Sequence, residues 1–150
     1  MENKLKFLDE EHAELMGNLR GLSASAGRTG KAVTDLLAVL EPHFAKEEKT
    51  VMPLLHLAQK LAEGEDVQDD SVSSAALDIE REYHSMFLEH DEIRSLASKA
   101  KNAALSEKRS EAVETIDWLS HHAEIEEAII YPLAMLAAKL AKRDARRRGK

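Results

Sequence analysis

Two stretches of this chain carry the same letters in the same register. His43-Phe-Ala-Lys-Glu47-Glu48-Lys-Thr-Val-Met-Pro53-Leu54 and His122-Ala-Glu-Ile-Glu126-Glu127-Ala-Ile-Ile-Tyr-Pro132-Leu133 share His, Glu, Glu, Pro and Leu at identical offsets. The match continues through Leu57-Ala58, Lys60-Leu61-Ala62 against Leu136-Ala137, Lys139-Leu140-Ala141. On a helix, residues four apart lie one above the other, so each copy stacks an imidazole and a carboxylate on one face. Each pair, turned into a bundle interior, is half of a metal site, and the rest of the chain is read as the scaffold that brings the halves together.

The composition supports that scaffold. Ala, Leu, Glu and Lys dominate the 150 residues, with 6 Gly and 3 Pro, which predicts one all-α domain with a real core. There is no cysteine, which excludes disulfides, thiolate metal sites and Cys nucleophiles. No apolar run approaches the roughly 20 residues a bilayer span needs, and Met1-Glu-Asn-Lys-Leu-Lys is not a signal peptide, so a cytoplasmic protein without a membrane partner is expected. Net charge is −7, which argues against a nucleic-acid partner for the body. The tail at 142–150 carries six positive charges and one negative. It reads as a solvated helix end that suits the helix dipole, or as a weak contact for an acidic partner or nucleic acid.

Periodicity predicts four long helices. The first runs over about 4–25, with Phe7, Leu8, Leu15, Leu19 and Leu22 on one stripe and His12 on or beside it; Gly27–Gly30 is the turn, with Thr29 a possible cap. The second runs over about 31–62 as one helix kinked at Pro42 and Pro53. A polar loop from Gly64 ends at Asp70 or Ser71, either of which can cap the third helix over 72–100, with Leu77, Tyr83, Phe87, Ile93 and Leu96 apolar. After a break at 101–106 the fourth runs over 107–142, with Val113, Ile116, Leu119, Ile129, Ile130, Leu133 and Leu136 as its core stripe and a kink at Pro132. Short connections imply an antiparallel up-down-up-down four-helix bundle. Glu11-His12 also aligns with Glu89-His90, so the bundle reads as a repeated helical hairpin.

Seven histidines need sorting. In an antiparallel hairpin, residues equidistant from the turn lie at one height. By that test His12, His43, Glu47, His90, His122 and Glu126 share one layer and occupy all four helices. His56 sits roughly 20 Å further along its helix and reads as a wall or surface group. His84 points elsewhere unless its helix is distorted, in which case it is an extra ligand, and His121, rotated about 100° from His122, supports the layer or faces solvent. A single helical histidine is usually a surface group. Six imidazoles and carboxylates at one height are hard to bury without a cation, because two buried glutamates otherwise carry a heavy desolvation cost. Imidazole plus carboxylate without thiolate suits Fe, Mn or Zn, and two carboxylates in one layer make a dinuclear centre natural. The ferritin-like Glu-x-x-His and the zinc-protease His-Glu-x-x-His motifs are absent.

His12, His43-x-x-x-Glu47, His90 and His122-x-x-x-Glu126 resemble the hemerythrin-like (HHE cation-binding) domains, across essentially the whole chain. The resemblance implies a cofactor of two Fe ions, a non-haem di-iron centre with an oxo or hydroxo bridge. Glu47 and Glu126 would bridge, His12 and His43 would hold one iron, and His90 and His122 the other. The chain departs from oxygen-carrying hemerythrins at Met86, where those have a fifth histidine, and in its second bridging group, Glu126 in place of an aspartate. Thioether is a poor ligand for ferric ion, so positions are left open for water, Glu48, Glu127 or a substrate. The expected function is binding or sensing of O2, NO or iron. The alternatives are a di-iron redox enzyme, decomposing peroxide or oxidising ferrous ion, and a protein of the iron–sulfur-cluster repair type. The expected partners are accordingly O2, NO or peroxide.

Overall fold

The computed structural model describes residues 6–65 and 70–148. The expected helix start at residue 4, the Phe7 side chain, the cap at Asp70 or Ser71 and the end of the tail lie outside what is described. The elements are α1 (Lys6–Ser23), α2 (Arg28–Thr50), α3 (Met52–Ala62), α4 (Asp70–Ser106), α5 (Ser110–Ile125), a π-helical turn (Glu126–Ile130) and α6 (Tyr131–Arg148). No strand occurs among the described residues, and the fold is the all-α helical bundle that composition and periodicity predict. None of these helices is long and apolar enough to cross a membrane.

One compact unit comprises Met1–Phe44 and Leu88–Glu124. Its core draws one stripe from each of four helices: Leu15, Leu19 and Leu22 of α1, Leu36, Leu40 and Phe44 of α2, Ile93, Ala97 and Ala100 of α4, and Ala112, Ile116 and Leu119 of α5. Gly27 turns the chain at φ +96°. A Cβ on Gly30 would stand 1.9 Å from the Ser25 carbonyl oxygen, so only glycine permits this approach. Helix α2 begins at Arg28, three residues earlier than expected, because its cap is not local. Thr29 offers its backbone N–H and its hydroxyl to the Glu107 carboxylate, both at 2.6 Å. These bonds, with the Thr29 hydroxyl foremost, hold the Glu107 carboxyl below its ordinary range. The break expected at 101–106 is also corrected. Helix α4 runs on to Ser106 because Ala100 and Ala104 extend its buried stripe, while Lys101 pairs outward with Asp117 at 2.7 Å.

The other compact unit comprises Ala45–Phe87 and Ile125–Lys150, with α3 packed on α6. Here each expected long helix is divided near its proline. The second breaks at Val51, which places Pro53 in the first turn of α3, where a missing N–H leaves no bond unmade. The fourth widens into the π-turn, closed by the Tyr131 N–H on the Glu126 carbonyl, just ahead of Pro132. One extra residue in a turn rotates everything after it by about 100°. The expected core stripe is corrected accordingly. Ile130 is buried, but Ile129, Leu133 and Leu136 face solvent, and Tyr131, Ala134, Ala137 and Ala138 are buried in their place. Leu77, expected in the core, is exposed, and its neighbours Ala75, Ala76 and Ile79 are buried.

Candidate metal centre

Four helices each present one buried histidine: His12 on α1, His43 on α2, His90 on α4 and His122 on α5. They meet as two pairs. Nε2 of His12 lies 2.9 Å from Nε2 of His122, and Nε2 of His90 lies 2.9 Å from Nε2 of His43. The resemblance placed His12 with His43 and His90 with His122. That pairing followed the order of the chain; the ring nitrogens instead pair α1 with α5 and α2 with α4. The Phe44 ring stacks on His12 at a centroid separation of 4.0 Å and walls the pair off.

The outer nitrogens show why the inner ones point inward. His122 Nδ1 lies 3.0 Å from Glu11 Oε1, and His43 Nδ1 lies 3.3 Å from Glu89 Oε1. A carboxylate only accepts hydrogen bonds, so Nδ1 carries the proton and Nε2 keeps its lone pair for the interior. The Trp118 indole N–H donates to the same Glu11 oxygen at 3.2 Å and steadies it. Each glutamate precedes a layer histidine in the chain and serves a histidine of another helix. The sequence carried the signal, since Glu11-His12 and Glu89-His90 align, but spacing alone gave the glutamates no role.

Glu47 of α2 and Glu126, the first residue of the π-turn, are carboxylates held at 1% and 3% exposure. The Tyr131 hydroxyl donates to Glu47 Oε1, while Oε2 of Glu47 accepts no hydrogen bond. Tyr131 is itself fully buried and packs edge-on to Phe87 at 5.6 Å. Sequence reasoning missed it, because its counterpart in the first copy is the apolar Met52.

The donor atoms form two groups of four. One atom each from His12, Glu47, His122 and Glu126 lie within 4.8 Å of one another, and so do atoms from His43, Glu47, His90 and Glu126. All six residues are buried. Inward lone pairs beside two buried carboxylates fit a cation, which relieves the desolvation of both glutamates.

Residues 3–134 match the Hemerythrin HHE cation binding domain. The chain belongs to that family. No curated protein and no solved structure matches it. In this hemerythrin-like metal-binding protein the other three histidines belong to neither group. His56 is half-buried along α3, His84 and His121 are exposed, and His121 lies 3.9 Å from Glu124. Glu48 faces solvent, while Met86 is fully buried.

Proposed function

We propose that this hemerythrin-like protein holds a non-haem di-iron centre that binds or senses O2, NO or iron. The observation that carries the reading is that Glu47 and Glu126 belong to both groups of four donors, as carboxylates shared between two ions would. His12 and His122 would hold one ion, and His43 and His90 the other. Iron bound there supplies open coordination positions and one-electron chemistry for a small ligand. The chain's own residues set the conditions. Glu11 and Glu89 keep two imidazoles turned inward, Phe44 covers one pair, and Tyr131 fixes the Glu47 carboxylate. Two histidines per ion, with Met86 in place of a fifth, leave more room for ligands than oxygen storage requires.

A second reading, di-iron redox chemistry on peroxide or ferrous ion, is favoured by the Tyr131 hydroxyl, a proton donor buried against Glu47. Metal analysis of the purified protein, with near-ultraviolet spectra, tests the centre: about two irons per chain and an oxo-bridge charge-transfer band are expected, whereas stoichiometric zinc without the band sinks it. Anaerobic titration of the reduced protein with O2, NO and peroxide then separates the readings. A stable adduct supports binding, and rapid oxidation with peroxide turnover supports the enzyme.

A further inference from the structure

The helix around the π-turn leaves a row of large apolar side chains open to solvent: Ile125 is 38% exposed, Ile129 60%, Leu133 43%, Leu136 59% and Leu140 47%. They form one continuous stripe, about 22 Å long at 1.5 Å per residue. Between Ile125 and Leu136 the other exposed or half-buried positions on this face are Ala128 and Pro132, so its middle contains no charge. An apolar strip of this size on a surface marks a place where something docks.

The order of residues indicates what. Reversed end for end, the stripe maps onto itself: Ile125 meets Leu140, Ile129 meets Leu136, and Leu133 meets Pro132. The charges at its ends are opposite. Exposed Glu124 stands at the start, and exposed Lys139 and Arg143 stand at the finish. Laid antiparallel on a copy of itself, Glu124 falls opposite position 141, between Lys139 and Arg143 of the second copy. A parallel arrangement would instead set like charges together. Self-complementarity about a two-fold axis is the signature of an isologous interface.

We infer that the outward face of residues 124–143 is a homodimer interface in which two copies of this chain pair antiparallel through Ile125, Ile129, Leu133, Leu136 and Leu140.

Sedimentation velocity of the full chain across a concentration series tests this. The expected result is a species of twice the chain mass, converted to monomer by the double variant Ile129→Glu/Leu136→Glu with an unchanged circular dichroism spectrum and at least a hundredfold weaker association. The charge arrangement has its own arm. Glu124→Lys weakens association several-fold, and adding Lys139→Glu and Arg143→Glu restores it; failure to restore overturns the antiparallel register. A third arm needs no charge in the stripe. The chain has no cysteine, so Leu133→Cys, near the two-fold axis, should oxidise to a covalent dimer at concentrations where Glu114→Cys, exposed on α5, does not. A wild-type chain that stays monomeric at every concentration overturns the proposal. So does one that remains monomeric in solution but binds anionic phosphatidylserine vesicles through the stripe, which would make it a membrane contact.

Discussion

The two copies of the His-x-x-x-Glu…Pro-Leu unit start alike and end differently. Each begins with a buried histidine and, four residues on, a buried glutamate. Beyond that point identical letters have opposite fates. Leu54 and Leu57 are 0% and 2% exposed, whereas their counterparts Leu133 and Leu136 face solvent; Met52 fills space where Tyr131 bonds Glu47. The first copy meets its proline by ending one helix and starting another, and the second by widening a turn. A chelating pair four residues apart needs only one helical turn to be set correctly. Everything downstream depends on how the backbone accommodates the missing N–H of proline, and two solutions send the same side chains to different places.

The copies should be equal where they are alike. Glu47→Ala and Glu126→Ala are each expected to abolish binding of both ions, read by metal analysis, and to remove the metal's contribution to thermal stability, about 4 kcal/mol at a thousandfold excess of metal over its dissociation constant. If either variant keeps two ions, the carboxylates are not shared.

They should be unequal where they diverge. Leu54→Ala should cost about 2–5 kcal/mol as a buried truncation, and Leu133→Ala less than about 0.5 kcal/mol, both from urea unfolding of dilute protein. Equal losses would mean that the π-turn does not rotate α6 as described.

The outer carboxylates offer a finer comparison, because Glu89 serves His43 of the first copy and Glu11 serves His122 of the second. Truncation of either to Ala should weaken metal binding roughly 10- to 100-fold, with Gln recovering part of the loss; isothermal titration of the apoprotein measures it. The effect of Glu11 should be the larger, since its contact is shorter and Trp118 also holds it. Smallest is the contrast at the aligned pair. Tyr131→Phe should cost roughly 1.5–3 kcal/mol, because its partner is a carboxylate, and should alter the spectrum of the metal-loaded protein. Met52→Leu should cost less than about 1.5 kcal/mol and leave that spectrum unchanged.

The layer of His12, His43, Glu47, His90, His122 and Glu126 was legible because it rests on two robust regularities. Helical spacing fixes which residues share a face, and equal distance from a turn fixes height. Both survive errors of a few residues at helix ends, such as the early start of α2 and the late end of α4. The carboxylates of Glu11 and Glu89 were visible as letters but not as partners, because each acts on a histidine from another helix. Glu107 was hidden for the same reason, since it caps α2 from 78 residues away.

By itself, then, the sequence determined the all-α class, the stripe of the first helix and the set of inward imidazoles and carboxylates, all of which follow from periodicity within a helix and distance from its turn. Tertiary structure decided what periodicity cannot carry: that His12 pairs with His122 and His43 with His90, that Tyr131 reaches Glu47, and that Ile129, Leu133 and Leu136 face outward. The first two depend on which helices face each other. The third depends on a single extra residue in one turn, which leaves the letters and their spacing intact while rotating every side chain that follows.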